Sequence, residues 1–346
     1  MNNKNKKLLR TLYGYKYKKP PVWLMRQAGR YLPEYRKTRK KAGSFLDLCF
    51  NPKLATEVTL QPLKRFDLDA AILFADILLI PNSLGQHLEF KEGEGPILKP
   101  ITNLEDFKLL KKIEQIHTTL NPVYDAVSNI KSKLEDNITF IGFAGSPWTV
   151  STYMIEGKGS KDHIKTKSFM LQFPEVFDQL ILKIQKATIE YLSKQITAGV
   201  DAIKLFDSWA GSLPGPYIEK YSLKPMKEIA IELKKRFPTI PVIIFPRGVG
   251  PLYEKFAKVK EFNCIAIDSN IDLTWARKNI QKHNVIQGNL DPAFLISGGN
   301  ELVKNTKNIV QKLSSSTHIF NLGHGITPNA RIENVELLLK TIKEKN

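Results

Sequence analysis

The feature that most constrains this chain is the alternation of short apolar runs with longer stretches of helical period. The runs are rich in β-branched and aromatic residues. They are 70–74 (AAILF), 139–143 (TFIGF), 202–206 (AIKLF), 241–245 (PVIIF), 264–267 (CIAI), 285–287 (VIQ) and 318–322 (HIFNL), with 22–25 as an eighth candidate. Between them lie amphipathic segments such as 175–198, 223–236 and 301–313. Such alternation predicts a parallel sheet with crossover helices. Seven or eight units in one uninterrupted chain of 346 residues suit a closed (β/α)8 barrel with additions. A doubly wound open sheet usually carries a GxGxxG turn after its first strand, and none is present.

The ends of the runs carry polar groups or glycine. Run 70–74 leads to Asp76, run 139–143 to Gly145-Ser146, and run 202–206 to Asp207-Ser208. Run 241–245 leads to Pro246-Arg247-Gly248, run 264–267 to Asp268, run 285–287 to Gly288-Asn289, and the last to Gly323-His324-Gly325. In a barrel these ends converge on one face, where a site is built. Part of this pattern is ordinary turn chemistry.

A second signal lies in the segment 21–39, PVWLMRQAGRYLPEYRKTR. It holds Arg26, Arg30, Arg36 and Arg39, four of the ten arginines among 52 basic residues. Where lysine supplies most of the charge, clustered arginine points to two-point recognition of carboxylate or phosphate. The plainer alternative is a solvated helix face partnered by Glu34. Gly29 permits close backbone approach, and the apolar run 22–25 leads straight into Arg26.

A net charge of +18 favours anionic partners, either a polyanionic small molecule or nucleic acid. Lysines spread along the chain, without an aromatic-basic motif, argue against specific nucleic-acid recognition. No apolar stretch approaches the length of a membrane span. The basic stretch 1–19 lacks the apolar core of a secretory signal and is expected to be a mobile tail, with 20–346 as the barrel domain. Cys49 and Cys264 form no metal or disulfide framework, which fits a reducing cytoplasm. No His or Cys spacing suggests a metal.

The segments PVWLMRQAGRYLPEYR and IGFAGSPWTVSTYMIEG closely resemble the two signature stretches of the uroporphyrinogen decarboxylase family. FADIL, LFDSWAG, QGNLDP and NLGHG follow in that family's order. The resemblance implies a single, distorted (β/α)8 TIM barrel with its site at the C-terminal ends of the strands. It implies a homodimer, a cytoplasmic enzyme, and no metal or organic cofactor. The implied reaction converts the four acetates of uroporphyrinogen III to methyls, giving coproporphyrinogen III for haem synthesis. The implied substrate contacts are Arg26, Gln27, Ala28, Gly29, Arg30, Arg39, Asp76, Tyr153, Ser208 and His324. Asp76, Arg26 and His324 are the catalytic candidates. The proton donor is left open among Arg26, a water bound to arginine, and His324. A corrinoid-dependent methyltransferase of similar fold is the rival enzyme class, and it requires His and Cys zinc ligands.

Overall fold

The computed structural model describes residues 5–91 and 93–344. Its strands are β1 (Ala70–Ile72), β2 (Leu88–Lys91), β3 (Gly95–Leu98), β4 (Thr139–Gly145), β5 (Ala202–Asp207), β6 (Val242–Pro246), β7 (Cys264–Ala266), β8 (Val285–Gln287) and β9 (His318–Ile319). Seven of them form one sheet in the order β1-β4-β5-β6-β7-β8-β9. Every pairing in it is parallel. All seven predicted strand runs are therefore present. Their continuous apolar character follows from burial on both faces. Every residue of β4 and β5 is buried, as parallel sheets covered by helices require.

The crossovers are helices, among them Ile116–Lys131, Pro174–Ala198, Lys224–Arg236 and Gly299–Lys312. The last three lie within two residues of the predicted segments at each end. The longest, Pro174–Ala198, buries Leu180, Ile184, Ala187 and Leu192 along one face.

The sheet curls. Trp23 donates its indole N–H to Gln287 Oε1 of β8 at 2.9 Å, and its ring lies 4.9 Å from Lys204 Nζ of β5. The rings of Phe206 and Phe245 flank the same nitrogen at 4.8 and 5.3 Å. These side chains fill the concave face. Segment 21–23 lies between the two edge strands. Phe320 N donates to Pro21 O at 2.8 Å beyond β9, and Asp69 N donates to Val22 O at 2.8 Å ahead of β1. Val22 forms an isolated parallel bridge to Phe320. The expected strand 22–25 is thus one bridge long, because the chain turns at Met25 and Arg26.

Two expectations are corrected. From residue 5 onward, the stretch expected to be a mobile tail is packed chain. Helix Lys7–Leu12 buries Leu8, Leu9 and Leu12, and Leu9 N donates to Thr139 Oγ1 at 3.1 Å. Lys6 pairs with Asp201 at 2.5 Å. The basic composition hid a short amphipathic helix. Residues 1–4 lie outside the described residues. The second correction is an antiparallel pair, β2 and β3, which the alternation did not announce. It places Leu88 and Leu98 against Leu78 and the Tyr153 ring.

Candidate active site

The turn carrying Arg26 is tied to the loop carrying His324. Met25 N donates to Asn321 Oδ1 at 3.0 Å, and Ile326 N donates to Met25 O at 2.8 Å. Asn321 Oδ1 also accepts from Leu322 N at 2.7 Å. Arg26 itself adopts φ +62°, a left-handed conformation rare for a residue with a long side chain. Strain of this kind persists where surrounding bonds over-determine the backbone. Gln27 does much of that work. Its Oε1 accepts from Leu24 N at 3.2 Å, its Nε2 donates to Ala70 O at 3.1 Å, and its backbone carbonyl accepts from Tyr31 Oη at 2.8 Å. Gln27 is therefore a buried staple between the turn and β1. Ala28 packs half-buried on the core. A Cβ on Gly29 would sit 3.0 Å from Arg26 O, so glycine lets the turn close on itself.

Asp76 follows β1. Its Oδ1 accepts from Leu78 N at 2.8 Å. Its other oxygen has no partner among the described residues. The residue is partly open to solvent, yet its carboxyl is surrounded by protein. Burial pushes its pKa up to about 6, while Leu78 N and the Arg26 guanidinium hold it down. Tyr153 stands on helix Pro147–Glu156, which follows β4. Burial raises its phenol; Trp209 opposes that, Asp76 adds to it, and Arg26 opposes it more weakly. Arg26, Asp76 and Tyr153 thus share one electrostatic neighbourhood. Ser208, half-buried, lies between Asp207 and Trp209 just past β5.

His324 completes the group from beyond β9. Burial first, then Arg26 and Arg247, lowers its pKa to about 4, and Asp291 opposes this. Its Nδ1 is buried without a partner among the described residues. Neither glycine flanking His324 has a positive φ, so backbone freedom is not their role. They serve close packing instead. A Cβ on Gly325 would meet the Arg26 side chain, lying 2.8 Å from Cγ and 2.9 Å from Nε. A Cβ on Gly323 would lie 2.8 Å from Ser269 Cα.

The other arginines separate. Arg30 is exposed, and its charge bears on Tyr35. Arg39 donates to Gly43 O at 2.6 Å from helix Pro33–Ala42, and its charge bears on Tyr35 and Cys49. Arg36 reads in the sequence as a surface charge, but it donates to Arg30 O at 2.7 Å and Tyr31 O at 3.2 Å. It fastens the loop that presents Arg30.

Three residues at the strand ends were missed as site candidates. Asp207 is fully buried and accepts from Thr149 Oγ1 at 2.5 Å and Ser222 Oγ at 2.6 Å. Thr149 Oγ1 in turn accepts from Trp209 N at 3.1 Å, which fixes the Ser208-Trp209 corner. Trp209 also carries the His163 ring, with centroids 5.0 Å apart. Arg247 follows β6 and bears on His324. The preference for arginine over lysine could have flagged it, since it ends one of the apolar runs. Shallow depressions elsewhere, one lined by Thr274, Arg277, Asn308 and Lys312, share no residue with this cluster. Among the described residues, no group of three or more His, Cys, Asp or Glu side chains could hold a metal. No helix among them is long and apolar enough to cross a membrane.

The family model for uroporphyrinogen decarboxylase matches residues 3–345. The chain belongs to that family. Proteins named uroporphyrinogen decarboxylase from Jannaschia sp. and from Cereibacter sphaeroides are 53% and 52% identical to it. Each alignment covers 98% of this chain, and 98% and 99% of the relative. The protein of that name from Paracoccus denitrificans is 52% identical over 98% of this chain and 99% of its own. Among solved structures, a methyltransferase from Methanosarcina mazei superimposes with a TM-score of 0.82. That match covers 98% of this chain and 97% of the other at 17% identity, so it speaks for the fold alone.

Proposed function

We propose that this chain, a carboxy-lyase of the uroporphyrinogen decarboxylase family, removes the four acetate carboxylates of uroporphyrinogen III. The products are coproporphyrinogen III and four molecules of carbon dioxide, on the route to haem. One observation carries the reading of the site. Among the described residues, Asp76 keeps one carboxylate oxygen without a partner, its carboxyl surrounded by protein and within reach of the Arg26 charge. A tetrapyrrole with eight carboxylates needs cations around its rim and an acceptor for the N–H groups at its centre. Arg26 and Arg30, with Arg39 nearby, supply cations, and the open oxygen of Asp76 supplies the acceptor. Tyr153, Ser208 and the N–H of a neutral His324 add hydrogen bonds at the periphery. Gln27, Ala28 and Gly29 shape the turn that presents Arg26.

The chemistry needs no external electron sink. A proton added to a pyrrole carbon leaves positive charge on the ring nitrogen. The bond from the acetate methylene to its carboxylate breaks, and its electron pair flows into the ring. That quenches the cation and leaves an exocyclic methylene. A second proton converts the methylene to a methyl, and loss of the first restores the pyrrole. Each carbon dioxide released therefore consumes one proton overall. An ionised Asp76 stabilises the cation by fixed electrostatics. His324, held at about 4, is an imidazolium in roughly one molecule per thousand at pH 7 in the free enzyme. Arginine is a poor acid at its usual pKa. A water oriented by Arg26 is therefore the donor of choice.

The same reading closes the sheet into an eight-stranded barrel, with segment 21–23 in the eighth place. It gives the protein a cytoplasmic location, a homodimeric state, no cofactor, and no membrane or sequence-specific nucleic-acid partner. Uroporphyrinogen offered in the dark under reducing conditions, without additives, should yield porphyrinogens with seven, six, five and four carboxylates in turn. Substrate that keeps all eight carboxylates would overturn the assignment.

A further inference from the structure

Arg247 has the properties of a built side chain and plays no part in the reading above. Its backbone is held on several sides. Arg247 N donates to Asp207 O and Phe245 O, each at 3.1 Å, and Arg247 O accepts from Gly211 N at 2.9 Å. The following residue, Gly248, has φ +80°, and a Cβ on Gly211 would lie 2.8 Å from Gly248 Cα. Two glycines thus let the loops after β5 and β6 touch backbone to backbone, and Arg247 stands at that contact.

Its side chain is half-buried and has no ion pair or hydrogen bond among the described residues. The acid beside it is engaged elsewhere. Asp268 accepts from Gly248 N at 2.9 Å, Tyr253 Oη at 3.0 Å and Asn270 N at 3.1 Å. A half-buried guanidinium left unpaired, on a backbone this constrained, is poised for an anion from outside.

Its position names the anion. In the sheet order, β6 is the fourth strand from segment 21–23 through β1, β4 and β5. It is also the fourth through β9, β8 and β7. Arg247 therefore enters from the side opposite Arg26, and His324 feels both charges. We propose that Arg247 is a substrate-binding residue that holds a carboxylate of the tetrapyrrole on the edge facing away from Arg26. This rests on the decarboxylase reading. It extends the cationic site from the arginine-rich segment 26–39 to the far wall of the cleft.

The test compares Arg247→Gln and Arg247→Lys with Arg277→Gln, a control on helix Leu273–Asn279 outside the cleft. Arg247→Gln should raise KM for uroporphyrinogen about tenfold, lower kcat by less than about threefold, and leave the thermal midpoint unchanged. Arg247→Lys should recover part of the loss in KM, and Arg277→Gln should match the parent. Coproporphyrinogen, as a competitive inhibitor, should also weaken against Arg247→Gln. A KM within twofold of the parent in a folded Arg247→Gln protein would overturn the proposal. If that variant fails to fold, Arg247→Ala, which also removes the charge, decides on the same criterion. A parent protein that leaves uroporphyrinogen unchanged would instead remove the decarboxylase reading.

Discussion

Asp76 and Asp207 stand at equivalent levels of the sheet, one just past β1 and the other ending β5. Burial pushes each up to about 6. What surrounds them differs. Asp207 is fully buried, and both its oxygens accept from hydroxyls, Thr149 on one side and Ser222 on the other. Asp76 has one backbone partner and one open oxygen, with a guanidinium beside it. An acid whose hydrogen-bonding capacity is filled holds structure. An acid left half-filled in a recess is available to a ligand. The same contrast separates Arg36, whose guanidinium is engaged by the backbone, from Arg247, whose guanidinium is not.

The largest expected effect that sharpens this contrast is Asp76→Asn. Turnover should fall by about 10²–10³, the usual result of removing one preorganised group that faces a developing charge. Its thermal midpoint should hold or rise, because a charge in an unfavourable place is gone. The gain at pH 8 should be about 1 kcal/mol, read by denaturant titration. Retained turnover would break the comparison from one side.

Asp207→Ala should invert the pattern. It leaves the Thr149 and Ser222 hydroxyls without their acceptor, at a cost of about 2–4 kcal/mol in a denaturant melt. Turnover per folded molecule should fall less than in Asp76→Asn. A stable Asp207→Ala with no turnover would make the two acids alike.

Next in size is Gly325→Ala, whose added methyl meets Arg26. Displacing the guanidinium should lower kcat/KM by about tenfold with little change in melting temperature. Equal losses of stability and activity would show that the glycine serves packing alone.

Acidity offers a smaller test. Ionised Asp76 is the form that accepts N–H groups, so kcat/KM should rise with pH through about 6 in the parent. Stability moves the other way. A carboxyl whose folded pKa lies above its unfolded value, near 4, binds protons preferentially in the folded state. The contribution of Asp76 and Asp207 is fully present below about 4 and is lost as pH rises through about 6. A kcat/KM profile flat from pH 5 to 7 would remove Asp76 from the titration. The smallest effect belongs to Arg36→Lys, which loses its two-carbonyl grip on the loop. It should cost about 0.5–1 kcal/mol and lower kcat/KM less than threefold.

The sequence announced the parallel strands because burial on both faces makes each an unbroken apolar run. The strand-end pattern also put Asp76, Ser208 and His324 on one face, since residues just past parallel strands share it, whereas Tyr153, on helix Pro147–Glu156, entered only through the family resemblance. It did not announce the β2–β3 pair, whose strands are four residues each and only partly buried. Helix Lys7–Leu12 was hidden by the lysines around three leucines. Side-chain engagement was also beyond reach. Gln27 and Arg36 sit in the same motif as Arg26, and only coordinates reveal that their polar groups point back into the backbone. Lys204, within a run that reads as pure strand, proved to be a buried amine ringed by Trp23, Phe206 and Phe245, its pKa lowered to about 7 by burial. Nothing in the spacing of AIKLF distinguishes that from an edge lysine.

The most direct measurement is single-turnover release of carbon dioxide from uroporphyrinogen bound to Asp76→Asn, with enzyme in excess. It separates chemistry from binding. If the half-filled acid stabilises the ring cation, the first carbon dioxide should appear about 10²–10³ more slowly than with the parent, from a protein that still binds substrate and melts no lower. Release at the parental rate would contradict that role for Asp76.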